Sequence, residues 1–329
     1  MAGVQIKYLV NLRALATILV IMLHICADYM LDYKKNDWQW ESVNAISSIT
    51  RMCIGLFLMI TGALLVAKTT NLKTFLKRRF SRLLLPFLFW SIVYIILDYY
   101  TDGKPLDLII QQSIYFGAYY HFWYIYILIG IYLLIPVLSI FLIHANKNNI
   151  QYFLVIWTIW LVANMQLFQD IIPNINLTYF SGYVGYVVLG YYYHYIYKKT
   201  KAYKMIIVLV LGYLVTFIGT SISSSQHDDL ETIFYQYLDI NVALMAAGTF
   251  LLFKYYVTKT NQFLILISKY SFGIYFIHPL FIFVLKRFDV FFSSIWLVDI
   301  FIKTTFVLLI SLGSIYILNK LPKGKFYIG

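Results

Sequence analysis

The chain has 329 residues, 61% of them apolar and 12% charged, and its 26 Lys+Arg against 14 Asp+Glu give a net charge of +12. A soluble domain is about 45–50% apolar and about 25% charged. A soluble globule, a disordered chain and a coiled coil are therefore excluded, and the lipid bilayer is the second apolar solvent such a composition needs. The basic excess falls in clusters between apolar runs, which reads as a topology signal and argues against a nucleic-acid partner.

Ten segments are apolar over about 20 residues, enough to cross the hydrocarbon core: 9–30, 47–67, 83–100, 122–143, 150–169, 180–197, 205–224, 236–257, 264–286 and 296–318. The first follows Lys7 as a secretory signal would. It is too long and lacks a small-x-small cleavage site, so it reads as a retained helix. The stretch 107–120 is too short to span and reads as amphipathic or re-entrant. Segment 180–197 is rich in Gly and Tyr, which suits a face turned to protein or water. The loops 68–82, 144–149, 198–204 and 254–263 and the C-terminal tail carry Lys68, Lys77, Lys147, Lys198, Lys254 and Lys323 among others, and no acidic residue. Carboxylates gather on the opposite side, as in Asp98, Asp102 and Asp107 or Asp228, Asp229 and Glu231. The fold expected is an all-α polytopic membrane protein, a single domain over 1–329. It is a bundle of about ten transmembrane helices with both termini cytoplasmic. Cys26 and Cys53 lie in apolar runs and read as packing residues.

Ionisable groups inside spans are functional candidates by default. Arg13 and His24 are eleven residues apart in the first span, three turns plus about 20°, so they share a face about 16.5 Å apart along the axis. Snorkelling of Arg13 to the headgroups and a packed helix-contact role for His24 are the plain alternatives. Asp28 falls on the same face one turn further out, where it could hold the imidazole's tautomer or simply be solvated. Arg78, Arg79 and Arg82 open the third span from the cytoplasmic side. The last two point to one side, as guanidinium forks suited to phosphate oxygens or as a lipid-headgroup anchor. At the outer level lie His121 and Trp123, and Ser271, Tyr275 and His278 recur at helical spacing before Pro279. Aromatic-belt anchoring explains Trp123 and Tyr275 equally simply, and His227 reads as a solvated bystander. No zinc-binding H-E-x-x-H, phosphate loop or nucleophile elbow occurs, so no metal is expected.

Asn11-Leu-Arg13-Ala-Leu-Ala followed by His24, Arg79-x-x-Arg82 followed by Pro86, Trp123 with Tyr132 and Pro136, and Ser271-x-x-x-Tyr275-x-x-His278-Pro279 together resemble the acyltransferase-3 family of membrane O-acyltransferases. The order of motifs and the span count agree over essentially the whole chain. Within the family, the short form and the stretch Phe57–Gly62 look most like the branch that acetylates enterobacterial common antigen. The resemblance implies transfer of an acyl group, usually acetyl, from cytoplasmic acetyl-CoA as co-substrate to a hydroxyl of a cell-envelope glycan or lipid-linked sugar, in a bacterial cytoplasmic (inner) membrane. His24 would be the catalytic histidine and Arg13, Arg79 and Arg82 the donor site. Some relatives append an extracellular domain, and none is expected here.

The residues fit that chemistry. Cytoplasmic guanidiniums can clamp an anionic head, His24 can act as general base, and donors from the ninth span can meet an oxyanion. A covalent acetyl-histidine is a second route. With a histidine base, transfer falls as pH drops through the imidazole range, near about 6.5 for an ordinary histidine. The rival class is a transporter or exporter of glycan on the same scaffold without acyl transfer, and a bare membrane anchor would leave the Arg13–His24 stripe unexplained. Self-association is left open.

Overall fold

The structure is a computed structural model that describes residues 6–66, 71–103, 105–168, 180, 182–322 and 324–328. Expectations for Lys68, Lys323 and parts of the segments 47–67, 150–169 and 180–197 fall outside the described residues, as do the side chains of Asp102 and Lys325. The described residues form helices joined by turns, with no strand among them. In order come α1 (Lys7–Leu31), α2 (Trp38–Thr50), α3 (Met52–Leu65), α4 (Leu72–Asp102), α5 (Leu106–Phe116), α6 (Trp123–His144), α7 (Lys147–Asn164), α8 (Val184–Tyr195), α9 (Ala202–His227), α10 (Ile240–Tyr256), α11 (Gln262–Arg287), α12 (Trp296–Leu318) and α13 (Lys325–Ile328). A tight turn of 3₁₀ helix, Tyr120–Phe122, leads into α6.

Among the described residues, eight stretches are helical, long and apolar enough to cross a membrane. They are α1, α2 with α3, α4, α5 with α6, α9, α10 with its preceding turn, α11 and α12. The two other expected spans are helical too, but α7 opens on the polar turn Lys147-Asn148-Asn149 and α8 has only 12 residues. The protein is an all-α polytopic membrane protein. Asp37, Asn71, Asn146 and Asn261 start α2, α4, α7 and α11 by accepting backbone N–H groups that have no partner inside a first turn.

Burial separates an inner from an outer set of helices. The apolar window of α1 is 78% buried and that of α11 67%, against 22% for α4 and for α9. So α1 and α11, packed side by side, run through protein, while α4 and α9 turn most of their apolar surface outward to lipid. Beside them α3 and α8 cross at backbone contact. A Cβ on Gly62 would stand 1.9 Å from the carbonyl oxygen of Val187, and one on Gly190 2.0 Å from that of Met59. Helices in lipid associate through such close approach, because lipid tails are as apolar as leucine.

At the outer end, Asp299 is fully buried at the first turn of α12. Its carboxylate accepts from Lys303 Nζ at 2.8 Å, from the Tyr29 hydroxyl, and from the backbone N–H of Phe292 at 2.6 Å and Ser293 at 3.2 Å. This one group joins α12, the turn before it and α1.

Two substitutions test this framework. Gly62→Val drives a side chain into the α8 backbone and should lower the thermal unfolding midpoint in detergent, with a cost of at least about 1–3 kcal/mol. Asp299→Ala strips the largely buried Lys303 of its carboxylate and should cost about 3–5 kcal/mol in the same measurement.

Candidate functional site

Three helices bring a cation to the same depth. Arg13, Arg79 and Lys269 lie six or seven residues past the N-terminal starts of α1, α4 and α11, about 9–11 Å into the bundle at the α-helical rise. All three line one cavity of about 270 Å³ with Arg82, Thr61, Tyr124, Tyr132, Ser271 and Tyr275. Arg82 is exposed at its rim and Arg79 is half-buried. Every cation in this lining lacks a carboxylate partner among the described residues. Unpaired guanidiniums in a low-dielectric cleft form a site for an anion. The register of α1 is held there by Asn11, which donates from Nδ2 to the carbonyl oxygens of Val257 at 3.2 Å and Lys259 at 2.7 Å.

Prolines flank this cavity in a regular way. Pro86, Pro136 and Pro279 lie inside α4, α6 and α11. A proline has no N–H for the carbonyl four residues earlier, and those three carbonyls belong to Arg82, Tyr132 and Tyr275. Each of the three residues lines the cavity. The helix walls are therefore weakened one turn from the residues that face the cleft, the kind of position at which a helix can kink.

The outer end of the cavity is formed by the rings of Tyr124 and Tyr275, and beyond Tyr275 lies a layer of three histidines. His24 and His278 are 17 and 16 residues past the starts of α1 and α11, about 24–26 Å in. The His278 ring is 5.3 Å from that of His24 and 5.7 Å from that of His121. Tyr275 bridges the levels: its ring stands 5.0 Å from His121, whose backbone carbonyl accepts its hydroxyl. His278 Nδ1 lies 3.0 Å from the carbonyl oxygen of Ile274. The proton therefore sits on Nδ1 and the lone pair on Nε2, which is buried without a partner. His121 is likewise sealed, at 1% exposure, with both nitrogens unpartnered. His24 alone of the three is partly open, and the ring of Tyr120 meets it edge-on at 4.9 Å. Among the described residues no three His, Cys, Asp or Glu side chains are placed to share a metal ion.

Several expected residues lie elsewhere. Asp28 accepts from Lys286 Nζ at 2.6 Å and lines an outer pocket, and no hydrogen bond joins it to His24. Arg78 is exposed and outside the cavity lining. Trp123 stacks on Tyr237 at 5.2 Å, on the far side of α6 from the cavity-lining face of Leu128 and Tyr132. Ser271 and Tyr275 belong to the inner cavity, His121 and His278 to the histidine layer. His227 sits at the end of α9 against the Ser223 carbonyl and Glu231.

Sequence reading passed over three residues. Lys269 is an intramembrane cation and on that ground alone a candidate. Arg51, at the α2–α3 junction in mid-span, has its guanidinium 4.0 Å from the Tyr235 ring centre, one bond to Ser47 and a buried Nε without a partner. Tyr120 carried no signal beyond its place beside His121.

Residues 6–319 match a family model described as an acyltransferase domain. No curated protein and no solved structure matches the chain.

Proposed function

Since the chain belongs to the acyltransferase-3 family and is a multi-pass membrane acyltransferase, we propose that it moves an acetyl group from cytoplasmic acetyl-CoA to a hydroxyl of a cell-envelope glycan or lipid-linked sugar. The membrane proposed is the bacterial cytoplasmic membrane. The observation that carries this reading is the placement of two unlike groups along the same pair of helices. Unpaired cations face the cavity at the cytoplasmic end of α1 and α11, and the histidines stand about 14–17 Å further out at the helical rise.

An acyl-CoA has that same division, an anionic head and a thin arm that ends in the reacting thioester. Arg13, Arg79, Arg82 and Lys269 would take the phosphates, with bidentate guanidinium bonds fixing the head. The arm would run outward past Tyr132 and Tyr275. At the histidine layer, His24 takes the proton of the acceptor hydroxyl as its oxygen bonds the thioester carbonyl carbon. The C–S bond then breaks, the ester is released, and the imidazolium returns the proton to the departing CoA thiolate. Atoms and charge balance without an oxidant or a metal. His24 suits the base role because it is the histidine open to an incoming group. His278, held through Nδ1, and His121 pack the layer from behind.

An asymmetric charge distribution speaks against a glycan exporter on the same scaffold, since a neutral permeant has no use for cations at one end only.

Calorimetric titration of acetyl-CoA into purified protein in nanodiscs separates the roles. Arg79→Ala with Arg82→Ala should weaken donor binding by about 10-fold or more, equivalent to loss of a charge-assisted bond of about 1.5–3 kcal/mol. No binding by the wild-type protein would bring the exporter to the front. His24→Ala should retain donor binding and lose acetyl transfer by about 10²–10⁴-fold, the usual worth of a general base. Transfer by the wild-type protein should fall on the acid side of its pH profile as the base is protonated, while donor binding shows no such limb. Full transfer by the His24 variant would remove that residue from the mechanism.

A further inference from the structure

Cavities approach the histidine layer from both sides. The cation-lined one of about 270 Å³ lies inward of it. A further, outer cavity of about 510 Å³, between the outer end of α4, the short helix α5 and α11, meets the layer at Tyr120. Between the inner cations and the histidines stands one charge that the roles given above leave unused. Arg51 sits where α2 passes into α3. Its level is fixed by Trp40, whose indole donates to the carbonyl oxygen of Met30 on α1 at 3.1 Å. Eleven residues along α2 from Trp40, and eleven back along α1 from Met30, put Arg51 level with Leu19. Along α1 that is about 9 Å outward of Arg13 and about 7.5 Å inward of His24.

A guanidinium at such a depth is expensive, and the chain supplies no counter-charge. Among the described residues no carboxylate pairs with Arg51. It is braced by neutral groups instead. The guanidinium carbon lies 4.0 Å from the centre of the Tyr235 ring, and one Nη donates to Ser47 Oγ at 3.2 Å. The Tyr235 hydroxyl donates in turn to Asn44 Oδ1 at 2.6 Å, and Ser48 Oγ to the same oxygen at 3.2 Å. Asn44 Nδ2 donates to the Phe217 carbonyl oxygen at 3.2 Å, which ties the frame to α9. Asn44, Ser47 and Ser48 are fully buried.

Neutral supports hold a cation in place without cancelling its charge. Nε of Arg51 is buried without a partner, while the residue as a whole is partly open. Its charge reaches His24, and also Tyr237, whose ring stacks on Trp123. The position along α1 states a use for it. Arg51 is inward of His24, on the side from which a thioester anchored at Arg13 and Arg79 would arrive.

Acyl transfer makes negative charge at that place. As the acceptor oxygen bonds the carbonyl carbon, the carbonyl π pair moves onto its oxygen. When the C–S bond breaks, that pair returns to form the ester carbonyl, and sulfur leaves with the C–S electrons and takes its proton from His24. A rigid cation stabilises the charged oxygen with no reorganisation at the moment of reaction. A guanidinium suits the task because it keeps its proton throughout.

We propose that Arg51 is a catalytic residue, the donor that receives the oxyanion of the tetrahedral intermediate, with Tyr235 and Ser47 as its positioning residues. The assignment rests on the acyl-transfer reading above.

Two analogues of acetyl-CoA separate binding of the donor from binding of the oxyanion. Acetonyl-CoA is a stable ketone. The carbonyl of trifluoroacetonyl-CoA adds water readily, which gives a tetrahedral carbon with an acidic hydroxyl. Each is titrated by calorimetry into the full chain in nanodiscs, with acetyl-CoA alongside. The wild-type protein should bind the trifluoro compound about 10²-fold more tightly than the ketone. Arg51→Met should keep acetyl-CoA binding and cut that preference about 10-fold or more. Arg51→Lys, which keeps the charge and loses the planar fork, should retain more of the preference than Arg51→Met. Acetyl-CoA binding without the preference in the wild type, or a preference unchanged in Arg51→Met, would overturn the assignment and leave the donor site standing. So would equal weakening of all three ligands in both variants, the pattern of a purely structural residue. Failure of the wild-type protein to bind any of the three would overturn the acyl-transfer reading, and the assignment with it.

Discussion

An ionisable side chain in hydrocarbon costs several kilocalories per mole unless protein or water surrounds it. A helix that carries Arg13, His24 and Asp28 on one face therefore has to be enclosed, and the architecture follows from that demand. The α1 helix is the most buried of the spans, with α11 alongside, α3 and α10 behind it and α12 across its outer end. Lipid contact is left to α4 and α9, whose apolar windows are largely open. The polar groups on α1 are the reason for an inner layer of helices, and the cavities lie along that layer.

Enclosure also sets the order of groups across the membrane. Cations stand near the N-terminal starts of three helices, tyrosine rings above them, the histidines next, and a further polar cavity last. Each level is bonded or packed to its neighbour through α11: Ser271 and Tyr275 face the inner cavity, His278 the imidazole layer, and Phe283 the outer cavity. Proline spacing adds to this order, since Pro86, Pro136 and Pro279 each release a carbonyl of a cavity residue. The helix walls are therefore less than fully cross-linked at that depth.

Pairing divides the charges of the bundle into two sets. Asp299 is saturated by two side chains and two backbone donors, and Lys254 spans the carbonyls at the end of α8. Asp28 holds Lys286. By contrast Arg13 and Arg79 face a cleft lined by no carboxylate, and both ring nitrogens of His121 are buried without a hydrogen-bond partner among the described residues. Desolvated groups left unpaired are poised for something that arrives from outside the chain.

Much of this was legible in the amino-acid sequence. Apolar length marks the spans, because the bilayer requires about 20 apolar residues per crossing. Helical periodicity alone puts Arg13 and His24 on one face and Ser271, Tyr275 and His278 on another. Those relations are local, so they need no partner helix to be read. What periodicity cannot supply is which helix faces which. Only tertiary packing put Lys269 beside Arg13, drew Asp28 to Lys286 and away from His24, turned Trp123 to Tyr237, and set Tyr120 between His24 and an outer cavity. Contacts between residues distant in the chain depend on how every intervening helix packs. A single helix face records that it will be buried, and the packing of the others decides against what.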